Sequence, residues 1–515
     1  MKHISAFAQS HPDKVAYRMA ESGETLTFAQ LDDLSNRGAQ AFRALGVGLG
    51  GSVALLFENR LDFLGLAWAA QRSGVFYTAI STHLTVDEIA YIMTDCGAQI
   101  AVLSDTFAHL MKELQGKCPD IRFFISGACD DPDLHWQKVQ DSMPTTQVKD
   151  EAAGADVLYS SGTTGRPKGI VRSFERQPVD TVIPGLMKVL CEDMADMDAA
   201  SVYLSPAPLY HAAPLRFTMM TVMIGGTAIV MEKFDAATML ELIAHHGVTH
   251  TQVVPTMFVR LLRLPQEMRE QADISTLQVA FHAAAPCPKD IKGQMIEWWG
   301  PILIEYYAGS EANGVTVATS EDWLTYPGTV GKSLLGKIAV LDEDGHKLPI
   351  GATGTIYFDS GIKFAYRNAP EKTAGAYAWP GCSTLGDVGY VNEEGYLFLT
   401  DRASYTIISG GVNIYPQETE DVLASHPQVA DVAVFGVPNP ELGEEVKAVV
   451  QLEPGIVGNH AKAAELIDWC KSRLSHVKAP RSVDFRETLP RTPTGKMVKR
   501  RLKDEYWANH SSADG

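Results

Sequence analysis

The chain has few cysteines, a deficit of basic residues and no long apolar run, and each absence removes a class of protein. No stretch of its 515 residues approaches the roughly 20 uninterrupted apolar residues that a membrane span needs, and Met1-Lys2-His3-Ile4-Ser5 lacks the apolar core of a signal peptide. The seven cysteines (Cys96, Cys118, Cys129, Cys191, Cys287, Cys382 and Cys470) contain no C-x-x-C pair, which speaks against structural zinc and a disulfide framework and suits a reducing compartment. Lys and Arg number 44 against 62 Asp and Glu, and a net charge of −18 argues against a nucleic-acid partner. The closing Ser511-Ser512-Ala513-Asp514-Gly515 is not a peroxisomal address. A Walker A loop is missing too, because no Gly-Lys-Ser/Thr occurs at the required spacing. What remains is the expectation of a soluble, cytoplasmic enzyme of more than one domain, since 45% apolar content can fill several cores.

One loop dominates what is present. Ser160-Ser161-Gly162-Thr163-Thr164-Gly165-Arg166-Pro167-Lys168-Gly169 gathers hydroxyls, glycines and two cations behind Val157-Leu158-Tyr159, which reads as the end of a strand. Glycines let backbone N–H groups converge, hydroxyls add donors and the cations add charge, which is the chemistry of a loop around a polyphosphate. The plainer alternative is a polar surface turn.

Along the first 160 residues helix and strand signals alternate. Thr27-Phe28-Ala29-Gln30 resembles a capping box, and Phe28, Leu31, Leu34, Phe42 and Leu45 follow a helical period. Ser52 to Phe57 reads as a buried strand. Thr85-Val86-Asp87-Glu88 opens a second helix that Gly97 closes before a strand from Gln99 to Leu103. Such alternation predicts mainly parallel sheets with helices on both faces. Gly46-Val47-Gly48-Leu49-Gly50-Gly51 matches G-x-G-x-x-G by letter but follows a helix and opens a strand, the reverse of a dinucleotide fingerprint, so a helix cap and turn is expected. From about residue 328 to 400 short alternating runs separated by Asp344-Gly345 and Glu394-Gly395 predict a small antiparallel, β-barrel-like subdomain. Afterwards Pro416 opens a helix to about Ser425, Val429 to Val437 and Lys447 to Leu452 read as strands, and Ala461 to Leu474 as a helix. Residues 402–515 carry 14 Lys and Arg against 15 Asp and Glu, whereas residues 1–401 carry 30 against 47, in keeping with a boundary near 401–404.

Four further stretches stand behind the loop: Tyr306-Tyr307-Ala308-Gly309-Ser310-Glu311; Gly386-Asp387; Asp401-Arg402 with Ser409-Gly410-Gly411; and Pro490-Arg491-Thr492-Pro493-Thr494-Gly495-Lys496. In order and spacing they resemble the adenylate-forming superfamily of acyl- and aryl-CoA synthetases, peptide-synthetase adenylation domains and firefly-type luciferases, over essentially the whole chain. The resemblance implies an α/β protein. Its N-terminal domain, residues 1–401, would have mainly parallel sheets and the β-rich subdomain; a hinge at 402–404 would be followed by a mobile α+β C-terminal domain, 405–515. It implies ATP-dependent activation of a hydrophobic carboxylic acid (fatty, aromatic or polycyclic) to acyl-AMP, then thioester formation with coenzyme A, with Mg²⁺ as cofactor.

The same resemblance assigns roles residue by residue. Ser160, Ser161, Gly162, Thr163, Thr164, Gly165 and Lys168 would cradle the phosphates of ATP, and Glu311, beside Ser310, would bind Mg²⁺ through the carboxylate oxygens a hard cation prefers. Tyr307 would stack on adenine beside the small-residue loop Ala283-Ala284-Ala285-Pro286, while Asp387 and Arg402 would hold the ribose. Lys496 would bridge carboxylate and α-phosphate, supplying charge stabilisation to a step that needs no base. Ser409, Gly410 and Gly411 would line a pantetheine tunnel. Ser404 stands where the family's hinge is commonly Asp or Lys, and Ala308 adds a methyl where the family commonly has glycine.

The acyl pocket is expected to draw on Tyr210-His211-Ala212-Ala213, on Met219, Met220 and Met223, on Val254 to Phe258 including Met257, and on His282 and Ala308. The methionines also read as ordinary core, and His211 as a gate or a turn cap. The lack of an Asp near Val254 to Phe258 disfavours an amino-acid substrate. The expected partners are the carboxylate, ATP and CoA, with a homodimer left open. The other readings are a kinase or NTPase, which would release ADP rather than AMP and pyrophosphate; a non-catalytic binding protein, against which Lys496 and Glu311 count; a stand-alone enzyme loading a carrier protein; and a luciferase.

Overall fold

A computed structural model describes residues 3–160, 168–170, 174–181, 185–402, 405–409, 412–491 and 497–511. The chain forms two compact units. One comprises Met1–Val253, Arg263–Phe281 and Phe364–Thr373, the other Val254–Leu262, His282–Lys363 and Ala374–Gly515.

The first unit is built on parallel sheets. The strands Arg122–Ser126, Ile100–Ser104, Ser52–Leu56, Phe76–Ile80 and Ala155–Asp156 lie side by side in that order, all parallel. Ser52–Leu56 and Ile100–Ser104 are buried at every position, the pattern of strands covered on both faces. A second sheet carries His250–Val253, Val202–Ser205, Thr227–Val230 and Val15–Met19 in parallel, with Thr25–Thr27 antiparallel at the edge. The helices start where their caps predict: both capping boxes form, at Thr27 with Gln30 and at Thr85 with Glu88, opening Phe28–Ala44 and Val86–Asp95. Gly46 and Gly50 take φ of 89° and 73°, so the glycine-rich stretch is the turn from helix to strand. One expectation fails. Tyr159 does not end a strand with Val157 and Leu158; a strand ends at Asp156, and Tyr159–Ser160 begins a hairpin with Lys168–Gly169. A run of apolar residues does not reveal where one pairing stops and the next starts.

Segment Phe364–Thr373 completes this unit from far along the chain. Ile170 bridges Tyr366, and the Arg367 N–H donates to the Gly169 carbonyl at 2.9 Å. Asp95 then accepts from both the Tyr159 hydroxyl, at 2.6 Å, and the Asn368 amide, at 2.8 Å.

In the second unit Leu303–Ala308, Val315–Thr319 and Lys332–Leu335 pair antiparallel. The β-rich stretch expected from 328 to 400 is a five-stranded antiparallel sheet, Lys337–Leu341, Gly354–Asp359, Cys382–Val391 and Tyr377–Trp379, with Leu397–Arg402 also on Cys382–Val391. The last hundred residues have a core of their own, from Ile407, Ile414, Leu423, Val434, Val450 and Leu466 among others. Helix Pro416–Ala424 starts on its proline, and Val429–Asn439 and Gly443–Leu452 form a long antiparallel pair. No helix of the described residues is long and apolar enough to cross a membrane.

Candidate active site

Strand Leu303–Ala308 positions the motif that follows it. Alternation puts Tyr307 and Glu305 on one face. Tyr307 lies half-buried with its ring 6.0 Å from that of Phe358, and its hydroxyl donates to Asp387 Oδ2 at 2.5 Å. Asp387 is only 7% exposed, on strand Cys382–Val391, where it pairs in register with Arg402. Two motifs 80 residues apart thus meet at one phenol–carboxylate bond, the charge-assisted and short kind. Past the strand, Ser310 and Glu311 lie half-buried, and Ala312 takes a φ of 53°. A Cβ at Gly309 would lie 2.6 Å from Leu385 and 2.7 Å from a Glu311 carboxylate oxygen, so a larger residue there would push both side-chain ends aside. Ala308 is half-buried opposite Val315.

The small-residue loop after Val279–His282 holds a strained position. Ala284 sits at φ 78°, a left-handed conformation that a residue with a Cβ rarely adopts. Such strain persists only where the surroundings impose it, and it concentrates at ligand sites.

Below that loop lies a buried charge network that sequence reasoning missed. Lys292, with no exposed surface, donates to Glu305 Oε2 at 2.5 Å, and His282 Nε2 is 3.7 Å from the same oxygen. Burial, reinforced by Lys292, holds His282 far below the usual imidazole range, while burial raises the Glu305 carboxyl. Neither His282 nitrogen has a hydrogen-bond partner among the described residues, and the ring stands edge-on to Phe258 at 5.3 Å. The signal available was an ionisable residue at apolar helix spacing, Lys292 within Lys289–Trp299, but nothing local named its partner. Met257 is buried in the neighbouring helix Pro255–Leu262.

In the first unit, His211 precedes helix Ala212–Met223 and makes no capping bond, so its side chain does not cap that turn. Burial, with His83 nearby, lowers it to about 4, and it is neutral at pH 7. Met219, Met220 and Met223 are buried and line a cavity of about 50 Å³ with Trp68, Tyr77 and the Arg216–Asp156 ion pair.

The other motif residues are placed by their backbones. Ser160 pairs with Lys168 across the hairpin, closing the stem of the loop whose residues Ser161, Gly162, Thr163, Thr164 and Gly165 lie outside the described residues. Ser409 pairs with Val412 and Gly443, while Gly410, Gly411, Ser404 and Lys496 also lie outside them.

Comparison with known proteins identifies the family. The AMP-binding enzyme family matches residues 4–362, and the AMP-binding enzyme C-terminal domain matches residues 418–496. The chain is 30% identical over 508 residues to the long-chain-fatty-acid–CoA ligase FadD13 of Mycobacterium tuberculosis, covering 96% of each chain. It is 31% identical over 511 residues to a feruloyl-CoA synthase of an Amycolatopsis species, covering 97% of each. ATP-bound MatB from Rhodopseudomonas palustris superposes with a TM-score of 0.81 at 28% identity, over 98% of this chain and 99% of that one. With both halves matched along nearly its full length, the chain belongs to the AMP-binding, adenylate-forming enzyme family.

Proposed function

We propose that this enzyme is an acyl-CoA synthetase that joins a hydrophobic carboxylic acid to coenzyme A by way of an acyl-adenylate. The observation that carries the reading is the Tyr307–Asp387 bond, which sets an aromatic face and a ribose-binding carboxylate side by side. In this reading Tyr307 stacks on adenine. The strained Ala284 loop keeps the base's edge free of side chains, and Asp387 accepts from the ribose with Arg402 beside it. Ser160, Ser161, Gly162, Thr163, Thr164, Gly165 and Lys168 are assigned to the phosphates by residue type.

Adenylation is attack of an ionised carboxylate on the α-phosphorus, so the residues must stabilise charge rather than remove a proton. Lys496 supplies that charge between the two anions. Glu311, a half-buried carboxylate, is the hard oxygen donor that Mg²⁺ favours, and bound Mg²⁺ would screen phosphate charge there. For the second step the domain after Ser404 turns, Lys496 withdraws and the Ser409-Gly410-Gly411 turn admits the thiol. The self-contained core of the last hundred residues supports that division. In this reading the buried Met257, the fully buried His282 and the Ala308 methyl face the apolar acid. Seven free cysteines favour the cytoplasm.

The test is a panel of octanoate, dodecanoate, palmitate, benzoate, ferulate and cholate with ATP and CoA, read by pyrophosphate release. At least one acid should release pyrophosphate and AMP and form a thioester. ADP as product, or no turnover with any acid, would overturn the reading.

A further inference from the structure

The segment that carries Lys496, residues 492–496, has a root on each side, and both roots are pinned. On the near side Arg491 bridges Met497, the Val498 N–H donates to the Pro490 carbonyl at 2.8 Å, and the Arg491 guanidinium grips Asp431 with two bonds of 2.5 and 2.6 Å. Leu489 and Met497 pack into the cluster of Ala433, Phe435, Val449 and Leu502. On the far side Lys499 opens the helix Lys499–Ser511, and its ammonium lies 2.8 Å from Glu420 Oε2, both side chains at 10% exposure or less. The other oxygen of Glu420 accepts the Val434 N–H at 2.7 Å, which fixes the carboxylate. The Lys499 ammonium also lies 5.4 Å from the centre of the Tyr405 ring, and Tyr405 directly follows Ser404.

Stability alone does not account for this lysine. A cation in the first turn of a helix opposes the helix dipole, and burying it adds a desolvation cost. A well-packed apolar pair at such a place is commonly as stable or more so. In some proteins a buried ionic or polar pair is kept because it fixes one geometry rather than because it stabilises. Here that geometry joins the helix Pro416–Ala424, the strand Val429–Asn439, the residue after the hinge and the backbone three residues beyond Lys496.

We propose that Lys499, held by Glu420, is a positioning residue for adenylation: it anchors the far root of the Lys496 loop and, against Tyr405, ties that root to the hinge. The proposal rests on the reading of Lys496 as the adenylation lysine. It makes the two half-reactions unequal in their dependence on Lys499. Adenylation needs Lys496 placed to within a fraction of an ångström, where misplacement by about 1 Å can cost 10²-fold. Thioester formation takes place with Lys496 withdrawn.

The test uses the full-length enzyme, the panel acid that releases pyrophosphate fastest and its synthetic adenylate. Lys499→Met combined with Glu420→Gln removes both charges together and leaves none buried alone. It should slow adenylation about 30-fold while thioester formation from supplied adenylate stays within twofold, and Lys499→Arg should retain at least a third of the adenylation rate. Trypsin should cut after Lys496 about tenfold faster in the double variant. Arg491→Gln, at the more exposed root, should show the same asymmetry at about fivefold, so the idea can be tested even if the buried variant does not fold. Equal losses in both half-reactions, or unchanged adenylation, would overturn the positioning role. If Lys496→Ala leaves adenylation intact, or no acid yields pyrophosphate with the unmodified enzyme, the underlying reading falls instead.

Discussion

Replacing Tyr307 by Phe keeps the ring and removes the hydroxyl, separating the stacking face from its bond to Asp387. That bond is 2.5 Å long and the carboxylate is 7% exposed, so little water is at hand to replace the lost donor. A hydrogen bond to a charged group contributes about 1.5–3 kcal/mol. If, as proposed, Asp387 holds the ribose, assigning roughly half of that to keeping it ready gives about 0.8–1.5 kcal/mol, or roughly a 4- to 12-fold rise in KM for ATP. A ribose contact of that kind would be made equally before and during the reaction, so kcat should stay within about twofold. Initial rates of pyrophosphate release against ATP concentration, at saturating acid, measure both constants. A companion measurement identifies the partner: 2′-deoxy- and 3′-deoxy-ATP should be poorer substrates than ATP for the unmodified enzyme, and Asp387→Ala should lose most of that discrimination. A KM within twofold of the unmodified enzyme, or equal discrimination by Asp387→Ala, would refute the assignment.

Lys496→Ala should reduce acyl-AMP formation on the order of 10²-fold or more and leave thioester formation from supplied acyl-AMP largely intact; equal losses would make it structural. Glu311→Gln should raise the Mg²⁺ concentration needed for half-maximal adenylation, because an amide binds a hard cation poorly, and an unchanged requirement would remove it from the site. Ser404→Pro, which fixes φ near −65°, should retain adenylate formation and lose most thioester synthesis, whereas full overall turnover would place the hinge elsewhere. Lys292→Met strands a buried Glu305 and should cost about 3–5 kcal/mol in denaturant unfolding, with Lys292→Met/Glu305→Met recovering most of it. A single variant as stable as the parent would show that the pair carries no such burden.

Elements with local punctuation were legible in the sequence. Thr27 and Thr85 announce their helices because a capping box is written within four residues, and Gly46 and Gly50 give away a turn because few other residues take their φ. The Tyr307 and Asp387 motifs were legible only as separate stretches; their contact depends on sheet register, which no window of sequence contains. Ala284 hid its conformation, since alanine does not advertise a positive φ. Lys292, Glu305 and Lys499 were missed for a related reason. A charged residue reads as surface until a partner from another element is brought to it. Pro416 was read correctly as a helix start, whereas the strand end assigned to Val157–Tyr159 was not, because apolar runs record burial rather than pairing.

The contribution of Phe364–Thr373 to the first unit sets an order on synthesis. The pairing of Tyr159–Ser160 with Lys168–Gly169 emerges from the ribosome with Gly169, but the backbone that bridges Ile170 and the amide that shares Asp95 come about 200 residues later. At about 5–20 residues per second that is a wait of roughly 10–40 s. Throughout it the frame around that strand pair is unfinished, and a nascent chain arrested before residue 364 lacks the means to finish it. Each molecule therefore completes that frame only after Lys337–Leu341 and Gly354–Asp359, two strands of the five-stranded antiparallel sheet, have also been made.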